Sequence, residues 1–380
     1  MEPGVDVAAW REFCRRLEAV GERLLEPGFP TDPADRAEGF AHLAEQVACW
    51  VGWSVSHNDP RSPAFQRQND LVTKWGGPNV DNVYRHARID PSLRYRITGR
   101  MHACEEFILA LRGGFMHMPT WGTLHEVTAS SLGISEGDDF EILLGGSDGI
   151  EIPSGACMVT IREYYWRWRA EEPATCTIEC MDGPAAVRPR RSAAAVAAAI
   201  DEAIAGVEQS ISYWNRYLRD VRSATPDNTF GPAFALAQGL DAAKYAFCVF
   251  DLGPDEALVV ESELPAAKYW SLQLADMAWF ESLDVVNHIM SLNQTQAEPS
   301  DDGRLRVVVA RQDPGAPNWL DTVGLRTGLL TFRWFWSDAD PTPQATVVKL
   351  ADIRSPAVGG AARAAELETR RRHIAWRFRT

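Results

Sequence analysis

Two short stretches gather side chains able to move protons. In NWLDT, Asn318, Trp319 and Asp321 stand together in what reads as a loop, just before a strand carrying Arg333. An amide, an indole and a carboxylate in one loop can orient a hydroxylated substrate, give it a flat apolar wall and take its proton. In GGPNVDNVYRH, two glycines precede Asp81, Asn82, Tyr84 and His86, a polar group that a tight backbone path could bring to a pocket mouth. His288 lies in VVNHIMSLNQTQ, close in sequence to Asn287 and Asn293, and a buried imidazole beside amides suits acid/base work near neutral pH. Each stretch also has a structural reading. Asn318 could cap a turn, Trp319 plug the core, and Asp321 pair with Arg333 or cap a backbone N–H, while the Asp81 loop ties helices to a sheet.

Other chemistries lack their signatures. His86, His102, His117 and His125 all fall in the first half, yet HxH, HExxH and HxxxH spacings are absent, so no metal is expected. Neither GxGxxG nor GxxxxGK[ST] occurs, so no nucleotide cofactor is expected, and hydrolysis or elimination ranks above redox chemistry. No nucleophile elbow or Cys/His signature is read, which gives a serine or thiol hydrolase no support. The 380 residues carry 38 Lys plus Arg against 52 Asp plus Glu, a net charge of −14, which argues against a broad basic surface for nucleic acid. No run approaches the ~18 apolar residues that a membrane-spanning helix needs. The charged, amphipathic N-terminus lacks the apolar core of a secretory leader. Seven cysteines without a CxxC, the nearest two (Cys176 and Cys180) about 13 Å apart along a strand, read as reduced thiols and place the chain in the cytoplasm.

The elements that must position these residues follow from hydrophobic spacing. Trp10, Phe13, Leu17, Val20 and Leu24 form one helical stripe, and Phe40, Leu43, Val47 and Trp50 a second. Short β runs occupy about 83–181, and a helix of about eight turns is expected over 192–222. Strand-like text returns from Ala246 to Leu350, before a basic tail expected to form a solvated helix with an oligomer contact as its other use.

An internal repeat organises the whole. With a shift of 163, IDPSLRYRITG (89–99) lies over LGPDEALVVES (252–262), and Phe107, Leu109 and Leu111 over Trp270, Leu272 and Leu274. The same shift matches His125 to His288; farther on, Arg162 falls over Arg333. The first copy has GIEIPSG where the second has PNWLDT, so a site built on that motif belongs to the second copy. Matched aromatic clusters, YYWRW and WFW, suit either ring-bearing ligands or packing between a sheet and the long helix.

KYWSLQLADMAWFESLDVVNHIMSLNQTQ followed by DPGAPNWLDTVGLRTGLLTFRWFW resembles the bacterial domain of unknown function 1214, and GGPNVDNVYRHARIDPSLRYRITGR resembles the domain of unknown function 1254 that accompanies it. The resemblance covers about residues 75–350. It implies a jelly-roll-like β architecture with helical additions, and no established reaction. The expected fold is mainly β with helical additions (α+β), built from two repeated jelly-roll-like β-sandwich units. Its parts are an N-terminal helical region (1–70), a first β repeat (71–190), a long helix and loop (191–245), a second β repeat (246–355) and a helical tail (356–380). The expected function is a cofactor-free cytoplasmic enzyme, a hydrolase or lyase, acting on a small hydroxylated or ring-containing molecule such as a sugar or steroid. In that reading Asp321 or Asp81 is the base and His288 the acid. Asn293 and Asn318 orient, Arg333 balances charge, Trp270 and Trp319 wall the site, and Asn82, Tyr84 and His125 add substrate contacts. The rival is a non-catalytic protein that binds a small molecule or carbohydrate. Neither reading involves nucleic acid or membrane.

Overall fold

Apolar spacings of three and four give the N-terminal helices α1 (Val7–Arg23) and α2 (Pro33–Val51). Asp32 caps α2 by accepting the Ala34 and Asp35 N–H groups, and Pro33 follows at the position where a missing N–H costs nothing. Phe13, Val20, Leu24, Leu43 and Trp50 are buried, but Trp10, expected with them, is 56% exposed and stacks on Phe13 instead of entering a core. The alanine-rich segment and its 4–3 alternation give α3 (Ala193–Ala224), which buries Ile204, Val207, Ile211 and Trp214. Gly206 lets α2 and α3 approach, because a Cβ there would stand 2.7 Å from the buried Trp50 indole. The structure, a computed structural model, describes residues 7–71, 73–182, 190–354 and 358–378. The first six residues of the leader reading, the end of the first repeat (183–189) and the last two residues of the tail lie outside the described residues. Among the described residues, no helix is long and apolar enough to cross a membrane.

Both halves are β-rich and carry helices, an α+β arrangement. The first copy has strands β1 (Asn82–Arg88), β2 (Tyr95–Arg100), β3 (Glu106–Arg112), β4 (Thr123–Thr128), β5 (Asp139–Leu144), β6 (Met158–Tyr164) and β7 (Thr175–Cys180). They form sheets β1-β6-β3-β4 and β5-β2-β7. The second copy has β8 (Ala243–Asp251), β9 (Glu256–Ser262), β10 (Ala267–Asp276), β11 (Ser291–Asn293), β12 (Leu305–Ala310), β13 (Trp319–Asp321), β14 (Thr327–Ser337) and β15 (Gln344–Lys349). Its sheets are β8-β14-β10-β11 and β13-β12-β9-β15. Strand for strand, in the matched positions, the order is the same in both copies. The added strand is β13, which carries WLD and runs parallel to β12 with Val309 opposite Leu320. The first copy has only a single parallel bridge there, from Leu144 to Ile150 of GIEIPSG. The copies thus differ in having a single bridge in the first where the second has a strand.

The chain divides into two compact units that do not follow the repeat boundary. One takes the described residues up to Gly76, Val83–Tyr164 and Ala174–Arg216; the other takes Gly77–Asn82, Tyr165–Pro173 and everything from Tyr217 onward. The Asp81 loop and the YWRW segment therefore belong with the second copy's strands. Gly77 makes the turn into that loop at φ +60°, and a Cβ on it would meet the Phe280 ring at 2.5 Å.

The tail corrects an expectation. It forms helix α4 (Gly360–Arg377), but its basic face is buried: Arg363, Arg370, His373 and Arg377 are all inside. Arg370 donates to the Ser291 carbonyl at 2.6 Å and lies 4.8 Å over Trp168, while Arg363 pairs with Asp313 at 2.9 Å. Guanidinium groups pack face-on against rings and bond carbonyls at once, so a charge run can face inward.

Candidate functional site

Side-chain alternation divides the β8-β14-β10-β11 sheet into two unlike faces. Residues paired across an antiparallel ladder share a face. One face carries Leu292, Leu272, Phe332 and Ala246 in one row, with Trp270 and Trp334 in the next. The other carries Asn293, Ser271, Arg333 and Tyr245 in one row, and Ser291, Gln273, Thr331 and Phe247 in the next. Asn293, Ser271, Arg333, Ser291, Gln273 and Thr331 are nonetheless buried. A buried sheet face made of polar side chains needs partners for each of them.

Most of these partners come from the Asp81 loop, the Tyr165–Pro173 segment and α4. Asp81 Oδ1 accepts hydrogen bonds from Trp168 Nε1 at 2.6 Å and Asn293 Nδ2 at 3.0 Å, and Oδ2 accepts from Tyr269 Oη at 2.6 Å. Tyr269 also bonds Ser271 Oγ at 2.8 Å. Burial, with the Asp81 charge beside it, holds the Tyr269 phenol far above its usual range, so it stays protonated and donates. Gln273 bonds Pro78 O, Val80 N and Ser282 Oγ, and Arg370 serves Ser291. Asp81 and Asn293, singled out separately in the sequence, are thus in direct contact. The carboxylate is locked by three donors, an arrangement suited to fixing a loop and poorly suited to taking a proton.

A second group brings His288 and Asp321 together. His288 Nδ1 lies 2.7 Å from Asp321 Oδ2, with the imidazole 36% and the carboxylate 14% exposed. β13 makes the contact possible, because the Asp321 N–H donates to Ile289 O at 2.7 Å and so ties the strand end to the residue after His288. The other carboxylate oxygen, Oδ1, caps Val323 N at 2.8 Å. A carboxylate oxygen accepts, so in the neutral imidazole Nδ1 carries the ring proton and Nε2 is the acceptor nitrogen. Asp321's partner is His288, not Arg333.

The remaining residues lie elsewhere. Asn318 donates to Glu298 O and Arg306 O and accepts from Glu298 N, which commits the whole amide to holding a loop. Trp319 donates to Ala310 O and packs on the Ala257, Val308, Ala310 and Ala316 cluster under Arg363. Trp270 is on the apolar face of β10 against Phe332, because alternation turns it away from Tyr269 and Ser271. Neither indole walls the polar face, and Asn318 is buried with both amide protons used. Asn82 is buried at the start of β1, Tyr84 lies in the first unit under Arg162, and His125 is exposed on β4 opposite Leu111. The sequence reading missed Tyr269, Trp168 and Arg370. For Tyr269 a signal existed, since KYWSLQLAD alternates Tyr, Ser and Gln with Trp, Leu and Leu. GGSDG at 145–149 has nucleophile-elbow spacing, but it is a turn from β5 into the Ile150 bridge and opens no helix.

A comparison with curated proteins finds no match. Among solved structures, that of an uncharacterized protein from Burkholderia cenocepacia is similar over 91% of this chain and 98% of that one, with 29% identity and a TM-score of 0.83. The VPA0106 protein from Vibrio parahaemolyticus is similar over 82% of this chain and 98% of that one, with 12% identity and a TM-score of 0.47. Residues 252–339, which run from just before β9 to just past β14 and include His288, Asp321 and Arg333, match the family described as Protein of unknown function (DUF1214).

Proposed function

We propose that this protein is an enzyme that acts on a small hydroxylated or ring-bearing molecule by general acid/base hydrolysis or elimination, with His288 as the group that transfers the proton. The observation that carries this reading is the 2.7 Å contact between His288 Nδ1 and Asp321 Oδ2. Asp321 is itself held by backbone bonds to Ile289 and Val323, so the imidazole has a fixed orientation and Nε2 is the proton acceptor. A positioned imidazole of this kind contributes roughly 10²–10⁴-fold to rate. We place it in the cytoplasm, and we read the first copy, whose strand order matches the second, as the accompanying domain of unknown function 1254.

The test is a panel of p-nitrophenyl esters and p-nitrophenyl glycosides turned over by the full chain. The wild type should process at least one class, and His288→Gln should slow it roughly 10²–10⁴-fold with little loss of melting temperature, because the ring is solvent-facing. Equal rates for wild type and His288→Gln, or no turnover by the wild type, would count against the reading. A second reading is binding without catalysis, favoured by the locked Asp81 carboxylate, which organises a buried polar face without a free base.

A further inference from the structure

One member of the polar face is left over when the covering segments have been satisfied. Arg333 is 5% exposed, and among the described residues its guanidinium makes no hydrogen bond and no ion pair; Nε is fully buried without a partner. The acid that reaches this face from the covering loop, Asp81, already bonds Trp168, Asn293 and Tyr269. A buried guanidinium cannot shed its proton, so its charge has to be compensated by something else. Its neighbours across the ladder are Ser271 on one side and Tyr245 on the other. Toward β8 the face becomes aromatic and half-open: Tyr245 and Phe247 are partly exposed, Phe234 stands 5.7 Å from Tyr245, and Phe335 closes the row behind.

We propose that the β14–β8 side of this face is a binding site for a ring-bearing carboxylate, with Arg333 holding the anion and the half-open Tyr245 and Phe247 rings holding the ring. Guanidinium and carboxylate match as a planar fork with two parallel hydrogen bonds. Ser271 stands beside Arg333 in its row and Thr331 in the next row of the same face; both are neutral and add no competing charge. Aromatic walls select a ring over a small, strongly hydrated anion. The site does not depend on the reading of His288, which lies outside these rows.

The probes are benzoate, acetate and inorganic phosphate, titrated into the full chain and followed by melting temperature and calorimetry. Benzoate should raise the melting temperature of the wild type more than acetate, and phosphate should do least. Arg333→Met keeps the stem and removes the charge. It should bind benzoate about 10- to 100-fold more weakly, the usual effect of losing a charge-assisted bond. Without ligand it should melt no lower than the wild type, because it removes an uncompensated buried charge. A lower melting temperature for Arg333→Met together with unchanged benzoate binding would show a structural arginine and overturn the proposal. Stabilisation by phosphate but not by benzoate would overturn the ring-bearing class, and the absence of any response in the wild type would overturn the site.

Discussion

At the scale of single residues, burial decides what each polar group can do. Asp81 and Asp321 are both acids chosen for their sequence context, yet one is sealed among three donors and the other faces a half-open imidazole. Spacing carries no sign of this, since 33 positions separate His288 from Asp321 and only the pairing of β13 brings them together. Two other histidines show the same effect with the opposite sign. His117 is boxed by Trp50 at 4.8 Å and Trp75 at 5.2 Å, and burial pushes its imidazole down to about 3. Burial, with help from Arg112 and Arg162, takes His86 down to about 3 as well. Between about 3 and 6.5 the folded chain therefore holds fewer protons than the unfolded chain. Their contribution to stability is complete above about 6.5 and falls as pH drops through that window, by at most ~1.4 kcal/mol per pH unit for each imidazole. Urea midpoints at pH 7, 5.5 and 4 should fall in that order. His117→Phe, which keeps a ring in the box, should flatten the slope by about one proton; an unchanged slope would assign the acid sensitivity to other groups.

At the scale of elements, periodicity found the helices and the strands, while parity explains where the reading of the site went astray. Trp270 is expected from the sequence to wall the site, but in β10 it faces the apolar side and Tyr269 the polar side. The tail's charge run reads as a wet helix until Trp168 and the Ser291 carbonyl are seen to receive its arginines. The α2–α3 crossing gives a prediction in which two effects oppose each other. On an exposed helix, Gly→Ala gains about 1 kcal/mol from propensity. At Gly206 the new Cβ would be 2.7 Å from the ring of Trp50, which is buried and held by its bond to Gln46. Overpacking of that kind costs about 1–3 kcal/mol, so Gly206→Ala should destabilise on balance. A raised urea midpoint would mean that the helices can separate without cost.

At the scale of the whole molecule, the repeat was legible and the partition into units was not. Repeats leave matched apolar positions in the sequence, as in Phe107, Leu109 and Leu111 over Trp270, Leu272 and Leu274. A segment that crosses to the other unit leaves nothing of the kind, because the partners of Asp81 are about 90 to 210 positions away and obey no period. The interleaving has a direct consequence. A fragment of residues 243–380 contains every strand of the second copy but lacks Gly77–Asn82 and Tyr165–Pro173, which belong to the same unit. Tyr269, Asn293 and Gln273 would lose their partners in the Asp81 loop and the Tyr165–Pro173 segment, and the polar face that cover. The fragment should keep far-UV circular dichroism of strands while losing the near-UV signal of its tryptophans. A cooperative unfolding transition with native near-UV signal would show that the second copy folds alone.

On the proposed reading, Asp321 acts on the reaction only through His288. Groups that work as one unit are not additive when removed together. Turnover of the best nitrophenyl substrate should be measured for His288→Gln, Asp321→Asn and the double variant. Asp321→Asn should slow the wild type by about 10-fold or more, yet change the His288→Gln rate by less than about threefold. Two losses that multiply in the double variant, or a His288→Gln protein as fast as the wild type, would contradict it.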